Sequence, residues 1–172
     1  VLDSDGADRI EPLEIGDIAH RQIGTHLSIP AKYYERMRSE DAGLLAHNVN
    51  TWLERTPAQR MIRVLDGKVR AYLSNRYLRM DNYSIASAVL PILAEIPDVR
   101  IESCQITDSR MYIKAVNPRL QEDVTPGDTV QAGVVISNSE VGLGSVNIQP
   151  LIYRLVCSNG MAVSYTNLTL PT

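Results

Sequence analysis

Arg60-Met61-Ile62-Arg63-Val64-Leu65, then Asp66-Gly67, then Lys68-Val69-Arg70-Ala71-Tyr72-Leu73 reads as two strand-like runs joined by a turn dipeptide. Asp-Gly supplies the positive φ angles that a two-residue type I′ turn needs, so the stretch predicts a β-hairpin. A two-residue loop sets the register. It would place Leu65 opposite Lys68, Val64 opposite Val69, Arg63 opposite Arg70, Ile62 opposite Ala71 and Met61 opposite Tyr72. Alternation then assigns Ile62, Val64, Val69, Ala71 and Leu73 to a core face. Met61, Arg63, Leu65, Lys68, Arg70 and Tyr72 fall on the other. Directly opposed arginines destabilise a sheet, so an anionic group is expected to relieve Arg63 and Arg70.

Upstream of the hairpin the apolar period is helical. Ile15, Ile18, Ala19, Ile23 and Leu27 share a face across 14–27. Ser28 and Pro30 read as a cap and a helix-initiating proline for a second helix through Met37. Leu44, Leu45, Val49, Trp52 and Leu53 form the apolar side of a third, which Thr56-Pro57 ends. Downstream, Asp81 or Asn82 caps a helix to about Ile96, with Pro91 a weakness inside it. Strands are then expected around 99–107, 110–116, 129–137, 144–157 and 161–170. The turns between them carry Asn117-Pro118, Thr125-Pro126-Gly127-Asp128, Gly142-Leu143-Gly144 and Ser158-Asn159-Gly160. Helices first and mostly strands afterwards indicate an α+β fold. The helical N-terminal third would pack on a mostly antiparallel sheet that has a basic β-hairpin and one intervening helix. Residues 1–13 are expected as a flexible segment. Residues 14–172 are expected as a single domain, helical over 14–56 and sheet over 57–172.

The chain has 172 residues, of which 44% are hydrophobic, with eight Tyr, one Trp and no Phe. That length suits one domain and is enough to bury about 70% of the unfolded surface. No apolar run approaches the roughly 18 residues of a membrane span. The polar, acidic start VLDSDGADRIEP is unlike a signal peptide, so a cytoplasmic protein without a membrane partner is expected. In that compartment Cys104 and Cys157 read as reduced thiols, although a disulfide between them stays open.

Chemistry-bearing patterns are sparse. His20, His26 and His47 do not have metal-ligand spacing, so neither a metal nor a cofactor is expected. Gly142-Leu143-Gly144 lacks the third glycine of a phosphate loop and its strand-to-helix setting. Asn138, Gly142, Gly144, Asn159 and Gly160 are therefore assigned structural turn roles. A catalytic Cys157 is the weakest of the readings, so no catalytic residue and no enzyme is expected. The segment DIAHRQIGTHLSIPAKYYERM resembles a helix-turn-helix at Ala19 and Ile29. It has Ile23 where that motif wants glycine, and an ordinary helical corner fits better.

Between Arg55 and Arg79 stand seven basic residues and one acid, Asp66, with Tyr72 and Tyr77 interleaved. Arginines for phosphates and aromatic rings for bases are the equipment of a single-strand groove. The site assigned on that pattern is Arg63, Lys68, Arg70, Tyr72, Arg76, Tyr77 and Arg79. The competing reading is a solvated sheet face with internal salt bridges. The net charge of −3 limits a nucleic-acid role to a local patch.

The segments RAYLSNRYLRMDN, GDTVQAGVVISNSEVGLGSVNIQPLIYRLVCSNGM and IPAKYYERM together resemble one family. It is the domain-of-unknown-function family of phage, prophage and plasmid-like proteins, and the likeness runs from about Ile15 to Met161. It implies an α+β fold, a bacterial host cell as setting, and a chain that continues past its last residue here. It implies no established activity. NRYLRMDNYSIASAVLPILAEI also resembles, over a short stretch, the phage single-strand annealing proteins of the ERF and Red-beta kind. Two functions are thus expected in rivalry. One is sequence-independent binding of single-stranded nucleic acid in mobile-element recombination, replication or defence evasion. The other is a protein-interaction module that inhibits or organises a host protein. Either is compatible with an oligomer.

Overall fold

The computed structural model describes residues 13–125, 128–155 and 162–165, and the chain divides into two compact units, Val1–Tyr77 and Leu78–Thr172. In the first unit the described elements are β1 (Glu14–Ile15), α1 (Asp17–His26), α2 (Ala31–Glu40), α3 (Ala42–Arg55), β2 (Arg60–Leu65) and β3 (Lys68–Ser74). They form a three-stranded sheet in the order β1-β3-β2, parallel between β1 and β3 and antiparallel in the hairpin. Glu14 and Ile15 were expected to open the first helix. They form a short strand instead, because their backbone pairs with β3: the Glu14 amide donates to the Gly67 carbonyl at 3.1 Å.

The helices are amphipathic as their spacing requires. Ile23, Tyr34, Met37 and Leu45 form a buried cluster, with Leu27, Ile29, Val49 and Tyr72 packed around it. Gly24 lets α1 and α2 approach closely, since a Cβ there would lie 3.0 Å from the Tyr34 ring. Ser28 does not cap α2. It takes φ 56°, and the Ile29 amide closes the end of α1 on the Gly24 carbonyl at 2.9 Å. On α3 only Leu45 of the expected apolar side is fully buried; Leu44 and Trp52 are exposed.

The second unit holds α4 (Asn82–Glu95) and a five-stranded antiparallel meander. Its strands are β4 (Arg100–Ile106), β5 (Met111–Thr125), β6 (Asp128–Asn138), β7 (Asn147–Leu155) and β8 (Ala162–Tyr165). Ile85 and Leu93 of α4 seat on Met111, Ile113, Ala115 and Ile136. β5 is longer than expected and runs through Asn117-Pro118. A register shift between Asn117 and Gln121 takes up the proline, which cannot donate to a regular ladder. Pro91 sits inside α4 without ending it. The fold is α+β with mostly antiparallel sheets, as expected. Among the described residues, no helix is long and apolar enough to cross a membrane.

Candidate interaction site on the basic hairpin

The turn forms as its dipeptide demands, with Asp66 at φ 49° and Gly67 at φ 71°. Leu65 pairs with Lys68 and Val64 with Val69, but the ladder then slips: Arg63 faces Ala71, Ile62 faces Tyr72 and Met61 faces Leu73. Arg70 is the extra residue of a β-bulge. The expected Arg63–Arg70 pair is thus corrected, and the reason is electrostatic. A flush register would set two guanidinium groups side by side, and one bulged residue removes that repulsion.

The slip also redistributes the faces, because cross-strand partners share a side of the sheet. Ala71 and Leu73 are buried as expected, but their partners on β2 are now Arg63 and Met61. Ile62 and Val64, expected in the core, are 45% and 49% exposed, and Leu65 beside the turn is 52% exposed. Among the described residues β2 is also the outer strand of its sheet, with β3 on one side only.

Most of the basic side chains are already engaged. Lys68 Nζ lies 2.9 Å from a Glu14 carboxylate oxygen. Arg63, Arg70 and Tyr77 each take part in an interaction. Arg79 belongs to the second unit, where Nη2 is 2.8 Å from Asp81, a contact that raises its affinity for the proton. Arg76 is exposed. Tyr72, nominated for base stacking, has its ring centroid 5.6 Å from that of His26. The Arg60 guanidinium carbon lies 5.7 Å from the same ring centroid. The Tyr72 backbone amide donates to Gln22 Oε1 at 2.8 Å, which continues the β3 edge past the end of the two-residue β1.

His26 and Arg60 were missed in the sequence. Arg60 Nη2 lies 2.6 Å from His26 Nδ1 and 3.1 Å from Nε2, while Arg60 Nε is buried without a hydrogen-bond partner. Burial, and then the Arg60 charge, hold the His26 pKa below its ordinary value. No short-range spacing announces this contact, since the two residues stand 34 positions apart.

The turn residues sit elsewhere. Asn138 is 3% exposed, and its Nδ2 donates to the Met80 carbonyl at 3.1 Å and to Asn82 Oδ1 at 2.8 Å. Glu140 Oε1 accepts from the Asn82 amide at 2.7 Å, so it does at the start of α4 what the Asp81 side chain does not. Gly142 takes φ 75°. A Cβ at Gly144 would lie 2.8 Å from Arg110 Nη2, whose guanidinium donates to the Leu143 carbonyl. Asn159, Gly160 and Cys157 lie outside the described residues. Cys104 is exposed and free. Among the described residues, no group of three or more His, Cys, Asp or Glu could hold a metal ion.

A family model described as "Domain of unknown function (DUF932)" matches residues 71–169, more than half of the chain. The chain belongs to the DUF932 family. The match begins inside β3 and takes in α4 and the five-stranded sheet; the family resemblance seen in the sequence was wider at the N-terminal end. No curated protein and no solved structure matches the chain.

Proposed function

We propose that this DUF932 chain is a protein-interaction module whose docking edge is β2. The observation that carries the reading is the exposure of Ile62 and Val64, 45% and 49%, on a strand that has one neighbour among the described residues. An outer strand offers a row of backbone donors and acceptors, and an extended segment of another protein can join it by strand addition. Exposed apolar side chains along that edge add the contact area. The occupant is an extended peptide with acidic and apolar residues in alternation, because the stretch from Arg55 to Arg79 is strongly basic and complementary charge directs such encounters. Engagement of Lys68, Arg63 and Arg70 within the protein, and of the Tyr72 ring by His26 and Arg60, favours this over a single-strand groove.

The test is a titration with a blocked synthetic peptide of alternating glutamate and valine, followed by nuclear magnetic resonance. Shifts and hydrogen-exchange protection are expected along β2, and Val64→Glu is expected to abolish them while leaving the fold intact. The rival has its own signature. Oligothymidylate binding that falls with salt at a log–log slope of about −3 reports four or five phosphate contacts. If that binding survives Val64→Glu and is lost when Arg63 and Arg70 are both alanine, nucleic acid takes first place.

A further inference from the structure

Three side chains join the end of α1 to the start of β2, and only one of them can change charge near neutral pH. Arg60 Nη2 meets His26 Nδ1 at 2.6 Å, and both lie against the Tyr72 ring at 5.6 to 5.7 Å. A guanidinium only donates hydrogen bonds, whereas a protonated imidazole has no lone pair left to accept one. The contact as built therefore requires neutral His26. A proton added there would set donor against donor and cation against cation. It would do so beside an Arg60 Nε that is already buried without a partner.

We propose that the His26–Arg60–Tyr72 stack is a proton-sensitive clasp, closed while His26 is neutral, which releases the start of β2 from the end of α1 when His26 is protonated. Charged and titratable groups from the neighbouring elements do not offset this. From β2 the facing charge is Arg60, and from β3 the facing group is the Tyr72 ring. On α1, Gln22 is uncharged and its amide oxygen is committed to the Tyr72 backbone. The α2 groups Tyr34, Glu35 and Arg38 bear on His20 instead. His26 stands in the last turn of α1, where the helix dipole favours a cation. Burial and Arg60 outweigh that, since the net direction of the His26 pKa is downward from 6.5.

The sign follows. Well above 6.5 His26 is neutral whether the clasp is open or closed, and the clasp has its full strength. As the pH falls from 6.5 toward the lowered value the open form takes up the proton more readily, and the clasp weakens. The clasp stands on its own geometry and does not depend on what β2 binds.

The experiment is a nuclear magnetic resonance titration of the full chain, without any partner, from about pH 8 to about pH 5. The His26 ring and the backbone amides of Met61 and Tyr72 are followed, with the His20 ring read separately. A His26 midpoint below 6.5 is expected, with the two amides shifting at that same midpoint. His26→Gln keeps an acceptor for Arg60 and removes the proton, so the amide transition should vanish. Arg60→Met keeps the bulk and removes the charge, so the His26 midpoint should rise. The proposal is overturned if wild-type His26 titrates at or above its ordinary value. It is overturned equally if the amides do not follow His26, or if His26→Gln opens as the wild type does. Should His26→Gln fail to fold, the wild-type titration and Arg60→Met decide between the same outcomes.

Discussion

Two hydrogen-bonded contacts show how burial decides the worth of a residue here. Arg38 meets Asp17 at 2.6 Å, but the Asp17 side chain is 74% exposed, and water screens such a pair. Arg38→Ala is expected to cost no more than about 1 kcal/mol, measured by urea unfolding. Asn138 is 3% exposed and holds both the Met80 carbonyl and the Asn82 side chain. Asn138→Ala removes the donor from two part-buried hydrogen bonds, so a loss of about 1–3 kcal/mol is expected in the same measurement. Asp41 is exposed, but its carboxylate accepts from the Leu44 amide at 2.9 Å, and Asp41→Ala should cost about 1 kcal/mol as a lost helix cap. The sequence marked Asn138 as a turn residue from its local setting. Its partners lie 58 and 56 positions away, and no local pattern encodes a contact of that kind. The same holds for His26 and Arg60, so the basic character of the hairpin was legible while the way its charges and rings are engaged was not.

Among the elements, the helical periods and the Asp66-Gly67 turn agree with the structure, whereas the Ser28 cap, the Asn117-Pro118 turn and the flush hairpin register do not. Asp66-Gly67 dictates its own turn, because positive φ at two successive positions suits few other residues. The bulge at Arg70 depends on competition between two whole registers, which alternation along one strand cannot express. Asn117-Pro118 was expected as a turn for a similar reason: proline signals a break, but a long neighbouring strand can carry the chain past it with a shift in register. The corrected register changes the sign of one expectation. Had Arg63 and Arg70 been opposed, replacing both by alanine would have been neutral or stabilising. With Arg63 facing Ala71 and both arginines engaged, the double replacement should instead destabilise the hairpin by about 1 kcal/mol. Thermal unfolding of the double variant, with each single variant beside it, reads the sign directly. A gain in stability would restore the opposed pair.

For the molecule as a whole, each compact unit has buried clusters of its own, built from different kinds of contact. Around Tyr34 the contacts join helices to one another and to β3, whereas around Ile113 one helix lies on one face of a meander. The order of elements in the sequence, helices first and mostly strands afterwards, is what made the α+β class legible. Gly133 offers a way to load one unit selectively. It pairs with Val116 on β5 and Leu151 on β7, and an added Cβ would stand 2.2 Å from the Ala115 carbonyl oxygen and 3.1 Å from the Val116 Cα. Both are backbone atoms, so relief requires β5 and β6 to part. Gly133→Ala should therefore cost several kcal/mol, beyond the usual 0.5–3 kcal/mol or so of a point substitution, and fall on the second unit. Because Ile23, Tyr34, Met37 and Leu45 draw on none of its strands, the first unit should keep its structure. Hydrogen exchange read peptide by peptide is the measurement. Protection is expected to collapse across β4 to β7 and to persist at α1, α2 and the hairpin. Loss of protection in both sets together would mean that the two units unfold as one cooperative unit.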